Sequence, residues 1–115
     1  AFYPAFGNNE GRLKWLYRLR EAGYVIPTII HPTAYVSSTA QIGPGAVILP
    51  HAVVNIGCVV KAGCIVNCGA IVDHGCVLEE GVHICLGAIV KAENRIPRCM
   101  KIEAGEGVQN CPYPL

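Results

Sequence analysis

From Ile30 onward every sixth residue is aliphatic: Ile30, Val36, Ile42, Ile48, Val54, Val60, Val66, Val72, Leu78, Ile84, Val90, Ile96, Ile102 and Val108. All fourteen are Ile, Val or Leu, types that supply only 32 of the 115 residues, so the period is not an accident of composition. Four positions after each aliphatic the residue is usually small, as at Ala34, Ala40, Ala46, Ala52, Cys58, Cys64, Ala70, Cys76 and Ala88. Three positions after it lie eight of the thirteen glycines, among them Gly45, Gly75 and Gly105. A period of six is a multiple of two, so side chains alternate in and out as they do along a strand. The aliphatic residue and the small residue two before it then share the inner side. The residues between must turn a corner, and Gly accepts the positive φ that such corners use. The pattern predicts a mainly β fold, a triangular coil of short parallel strands with three hexads per turn. It allows roughly four coils stacked about 4.8 Å apart. A helix would need a period near 3.6, which this segment lacks.

The first thirty residues read differently. Ala1–Phe6 is expected to form a short apolar strand, and Gly7-Asn8-Asn9 a turn with Asn9 as helix N-cap. Residues 12–22 are expected to be helical, with Leu13, Leu16, Tyr17 and Arg20 on one face and Gly23 as the stop. The expected organisation is a partial α/β unit over 1–29, a β-helix domain over 30–108 and a tail over 109–115.

Composition removes several classes of function. The chain is 52% hydrophobic and 15% charged, with nine Lys+Arg against eight Asp+Glu. So balanced a charge argues against nucleic acid or an anionic membrane as partner. The mean hydropathy of +0.40 raises the question of a membrane span. The most apolar stretch, 42–60, carries Pro44, Pro50, His51, Asn55 and three glycines, which does not suit one. No signal-peptide pattern is expected at the start. The seven cysteines, at 58, 64, 68, 76, 85, 99 and 111, are odd in number and include no Cys-x-x-Cys pair. That favours a reducing, cytoplasmic setting with most of them acting as small buried hydrophobes.

The hexads, together with His31-Pro32-Thr33-Ala34, resemble the hexapeptide-repeat left-handed β-helix of acyltransferases. General rules for parallel crossovers favour the right hand, so the left hand comes from the resemblance alone. Gly7-Asn8-Asn9 with Arg12, the run Asn67-Cys68-Gly69-Ala70-Ile71-Val72-Asp73-His74, and His83 are similar to bacterial sugar acetyltransferases of the sialic-acid and pilin or bacillosamine type. The resemblance covers almost the whole chain. It implies an acetyl-CoA-dependent transfer to an amine or hydroxyl of a sugar or nucleotide-sugar, in a homotrimer with its sites between subunits. Such relatives bind the acceptor through an N-terminal α/β domain that opens with a glycine-rich strand-turn-helix. No such loop precedes Ala1, so the start of that domain is expected to be absent.

Within the coil, His74 falls in a corner and His83 on the outward phase of a strand half a coil away. That places them on opposite sides of one prism, able to meet only across a subunit contact. Val47, Leu49 and Ile65 share the face of Asn67, His83 and Cys85 and are expected to form its exposed apolar contact stripe. The resemblance makes His74 the general base, a task suited to an imidazole. Asn67, Asp73 and His83 would line the acetyl and acceptor cleft, with oxyanion donors from backbone near Gly87. Relatives commonly carry an acid directly after this histidine. Here that position is Gly75, and Asp73 is expected to point away along the strand phase.

Acetyl-CoA would lie toward the C-terminal coils, against Gly87, Lys91, Ala92, Arg95 and Lys101. Lys91, Arg95, Arg98 and Lys101 are expected to cluster there. His31 and His51 read as structural. No metal is expected: two coil histidines without a His-x₄-His pair fall short of a three-histidine zinc site, and Cys68 and Cys85, the latter on the outer face, do not complete a tetrahedral set. A competing reading is a non-catalytic trimeric β-helix assembly module derived from such an enzyme. An ice-binding β-helix would want repeated outward Thr pairs, which the chain lacks.

Overall fold

The structure is a computed structural model that describes residues 8–109. The expected strand at Ala1–Phe6 lies outside the described residues. Helix α1 runs Asn9–Glu21. The N-cap is Asn8 rather than Asn9: its side chain accepts from the Gly11 N–H at 2.7 Å, which starts the helix three residues before the expected position. Gly23, at φ +90°, ends it as expected.

Fourteen two-residue strands follow. They are β1 (Ile29–Ile30), β2 (Tyr35–Val36), β3 (Gln41–Ile42), β4 (Val47–Ile48) and β5 (Val53–Val54). Next come β6 (Val59–Val60), β7 (Ile65–Val66), β8 (Ile71–Val72), β9 (Val77–Leu78) and β10 (His83–Ile84). The last are β11 (Ile89–Val90), β12 (Arg95–Ile96), β13 (Lys101–Ile102) and β14 (Gly107–Val108). Each strand ends on one of the fourteen periodic aliphatics.

Every third strand pairs in parallel, which gives a three-sided β-helix. Face A stacks β1-β4-β7-β10-β13, face B stacks β2-β5-β8-β11-β14, and face C stacks β3-β6-β9-β12. The register is one 18-residue turn, as in Val47↔Ile65 and Ile65↔His83. The ladder bonds run from coil to coil: Val47 N–H donates to the Cys64 carbonyl and Leu49 N–H to that of Val66, both at 2.9 Å.

The core is the inner column of aliphatics and small residues. Ile48 to Ile96 on the aliphatic phase are almost wholly inaccessible, as are Cys58, Cys64 and Cys76 on the small phase. The column opens at its first coil, where Ile30 is 44% exposed and Val36 and Ile42 are only partly buried. The buried thiols also satisfy backbone. Cys58 donates to the Asp73 carbonyl at 2.9 Å, and Cys64 and Cys76 donate to those of Glu79 and Lys91 at 3.1 Å.

Helix α1 lies on the corner between faces C and A. Leu13 and Leu16 are fully buried there against Gly45, Gly63 and Gly81. A Cβ at Gly45 would overlap the Leu16 side chain, so this corner must be Gly for the helix to dock. Arg12, 1% exposed, fastens the helix: Nε donates to the Gly63 carbonyl at 2.9 Å and Nη2 to that of Gly81 at 3.1 Å. These are successive turns of the coil, so one guanidinium ties two of them together. Tyr17 and Arg20 turn outward instead of joining the buried face. Among the described residues no helix is long and apolar enough to cross a membrane.

Candidate active site

His74 sits in the corner between faces B and C, following β8, with its side chain about half exposed. The corner is built by Asp73. Its Oδ1 accepts from the His74 backbone N–H at 2.7 Å and lies 3.2 Å from His74 Nδ1. Asp73 therefore does not point away as the strand phase predicts, because its short side chain folds back over the next peptide. The His74 N–H bond first of all, against the opposing effect of burial and with further help from the imidazole and Asn55, holds this carboxylate below its ordinary range. An ionised carboxylate only accepts hydrogen bonds. In a neutral ring, the tautomer that satisfies the contact carries its proton on Nδ1 and leaves Nε2 as the nitrogen able to accept a proton.

Asn67 and His83 form the second pair. Asn67 follows β7 and His83 opens β10, so both belong to the face A side, across the prism from His74. Asn67 Oδ1 accepts from the Cys68 N–H at 2.8 Å, which fixes the amide and turns its NH₂ toward His83 Nε2, 3.0 Å away. Burial, and after it the positive charges of Arg12 and Lys101, push the His83 imidazole below its ordinary range. In neutral His83 the Nε2 accepts from Asn67, and the proton sits on Nδ1.

The expected donor residues are distributed rather than clustered. Gly87 N–H is already committed to the Cys68 carbonyl at 3.0 Å. Ala92 lies one turn along from His74, in the same corner. Lys91 Nζ donates to Gln109 Oε1 at 3.0 Å. Arg95 projects from face C and pairs with Glu79 at 2.9 Å, while Lys101 projects from face A with Glu103 at 3.9 Å. Arg98 faces Glu10 at 3.6 Å. Ten residues of chain cover more than half a turn of the prism, so these four cations lie on different sides.

The apolar stripe is likewise displaced. Val47 is 9% exposed and Cys85, expected on the outer face, is 5% exposed, while Leu49 and Ile65 are partly covered. The segment after α1 lays Ile26 against the neighbouring Gly45 corner. Open apolar side chains also run along face B: Tyr35, Ile71 and Ile89 stand out on it, with Leu86 and Ile56 at its two edges, while on face A Ile29 and Ile30 are open at the first coil. A groove of about 380 Å³ between α1 and face C is lined by Tyr17, Arg20, Gln41, Val59, Lys61 and Glu80. Among the described residues no three His, Cys, Asp or Glu side chains converge to hold a metal ion.

Comparison with solved structures agrees with this architecture. The acetyltransferase domain of PglB from Neisseria gonorrhoeae FA1090 superposes with a TM-score of 0.88 at 42% identity, over 90% of this chain and 50% of that one. The chain shares the hexapeptide-repeat β-helix fold of that acetyltransferase domain. It spans half the length of the PglB domain, which has also been solved in complex with acetyl coenzyme A. A variant of perosamine N-acetyltransferase from Caulobacter crescentus, in complex with CoA and GDP-perosamine, shares the fold. Its TM-score is 0.59 at 20% identity, over 91% of this chain and 61% of that one. No family model matches the sequence, and no curated protein matches it.

Proposed function

We propose that the protein is an acetyl-CoA-dependent acetyltransferase that acts on an amine or hydroxyl of a sugar, in the nucleotide-linked form. The observation that carries this reading is the 42% identity with an acetyltransferase domain known to take acetyl coenzyme A. It is joined to a half-exposed corner imidazole whose Nδ1 lies against an ionised carboxylate. His74 Nε2 takes the proton from the acceptor as its nitrogen or oxygen attacks the thioester carbonyl. The new C–N or C–O bond forms, the C–S bond breaks, and the CoA thiolate leaves with the proton returned by His74. Transfer is direct and needs no cysteine nucleophile.

The working unit is a homotrimer in which His74 of one subunit faces Asn67 and His83 of the next. Face B supports this: its open Tyr35, Ile71 and Ile89 make an apolar strip suited to a neighbouring copy. Asn67 and His83 would then contact the acetyl or acceptor group. With Gly87 N–H in use, the oxyanion falls to the adjacent Leu86 N–H, which bonds no other described residue and lies on an exposed edge. Acetyl-CoA would run along the cleft past Ala92, with Lys91, Arg95 and Lys101 meeting its phosphates from two subunits. The six thiols among the described residues are free, four of them buried, which fits a cytoplasmic protein.

The test is acceptor-dependent release of CoA thiol with a panel of free and nucleotide-linked amino sugars. His74→Ala is expected to lose about 10²–10⁴-fold in kcat with little change in the KM for acetyl-CoA. An intact trimer that releases no thiol with any acceptor would instead assign the chain to the assembly-module reading.

A further inference from the structure

The corner between faces B and C carries a polar ladder, one residue per turn: Ser37, Asn55, Asp73, Lys91 and Gln109. Its last four members form two pairs. Lys91 turns toward Gln109 and forms no ion pair with Asp73 among the described residues. Asn55 turns toward Asp73 and places its Nδ2 3.3 Å from Oδ1. The direction of that amide is fixed, because Asn55 Oδ1 accepts the Ile56 N–H at 3.0 Å and only the NH₂ end remains to face the carboxylate. Asp73 Oδ1 is thus gripped by Asn55, by the His74 backbone and by the His74 ring. A cation in place of Asn55 would compete with the imidazole for the carboxylate charge, whereas a neutral amide holds the carboxylate and leaves its charge to the ring.

We propose that Asn55 is a positioning residue, which holds the Asp73 carboxylate in the rotamer that selects the Nδ1–H tautomer of His74 and keeps Nε2 bare. The inference rests on the reading of His74 as general base, and it deepens that reading by adding a residue from the preceding turn. Two functions of Asn55 can be separated by substitution. In Asn55→Ser the hydroxyl can still cap the corner, as Ser37 does by accepting the Thr39 N–H at 3.3 Å one turn earlier. It is too short to reach Asp73. Asn55→Leu removes both contacts.

The experiment is long-range ¹H–¹⁵N correlation of the ¹⁵N-histidine-labelled full chain, with His74 assigned from the peaks lost in His74→Gln. Wild type is expected to show an unprotonated Nε2. Asn55→Ser is expected to move His74 toward the Nε2–H tautomer, with melting temperature and acetyl-CoA KM unchanged and kcat lowered about 2- to 10-fold, as one hydrogen bond warrants. Should Asn55→Leu not fold, Asn55→Ser alone decides. Wild type in the Nε2–H form, or Asn55→Ser with the wild-type tautomer, overturns the proposal. The tautomer is read without turnover, so a protein that transfers no acetyl group would end the base assignment while the role of Asn55 is still measured.

Discussion

The Asn67 amide donates to His83 Nε2 at 3.0 Å, joining residues on successive turns of face A. The bond requires neutral His83, and burial together with Arg12 and Lys101 keeps it so. A histidine whose folded pKa lies below its unfolded value binds more protons unfolded, so stability is complete above about pH 6.5 and declines as pH falls below that value. Denaturant midpoints measured from pH 7.5 down to pH 5 are expected to show this slope, and His83→Gln is expected to flatten it. An unchanged slope in the variant would place the titrating group elsewhere.

Arg12 is expected to be more important than its place in a short helix implies. Replacing it by Met strands the Gly63 and Gly81 carbonyls beneath α1 and removes a charge-assisted contact to each turn. The cost is about 2–4 kcal/mol by urea denaturation, with α1 losing amide-exchange protection first. Arg12→Lys is expected to recover less than half, since a single ammonium cannot span both turns.

Backbone conformation gives predictions of opposite sign. His51 holds φ +60° at a corner position where most turns carry glycine. His51→Gly is expected to raise stability by about 1 kcal/mol in thermal melts. Gly105→Ala meets no atom within 4 Å and should cost only that same backbone penalty. Gly45→Ala collides with Leu16 as well and is expected to cost about 3 kcal/mol or more.

Face B is expected to govern assembly. Ile71→Lys and Ile89→Lys place charges on its open strip and should yield dissociated chains by analytical ultracentrifugation, with helix and strand signals retained. Loss of acetyl transfer in parallel would tie the site to the contact. Wild type sedimenting as a single chain would remove the shared-site account.

The coil was legible to the residue, because a period of six is written fourteen times and each turn repeats the instruction. The N-cap was misplaced by one position because Asn8 and Asn9 offer the same chemistry, and only the Gly11 N–H selects between them. The open face was misassigned because strand phase says which way Val47 and Cys85 point, not what lies over them. Asp73 was misread for a related reason: phase gives the direction of Cα–Cβ, while the rotamer is set by an N–H one residue away. Lys91, Arg95, Arg98 and Lys101 look like neighbours only in linear order, since the coil carries them round the prism.

The 18-residue register restricts how such a chain can change length. Removing residues 37–54 would excise a complete storey and leave every later residue above its former compass point. Removing a single hexad would leave the inner column intact yet swing all that follows through a third of a revolution, exchanging the edge of His74 for another. Duplication or loss by whole storeys is therefore the route by which this scaffold can grow or shrink with its chemistry still aimed.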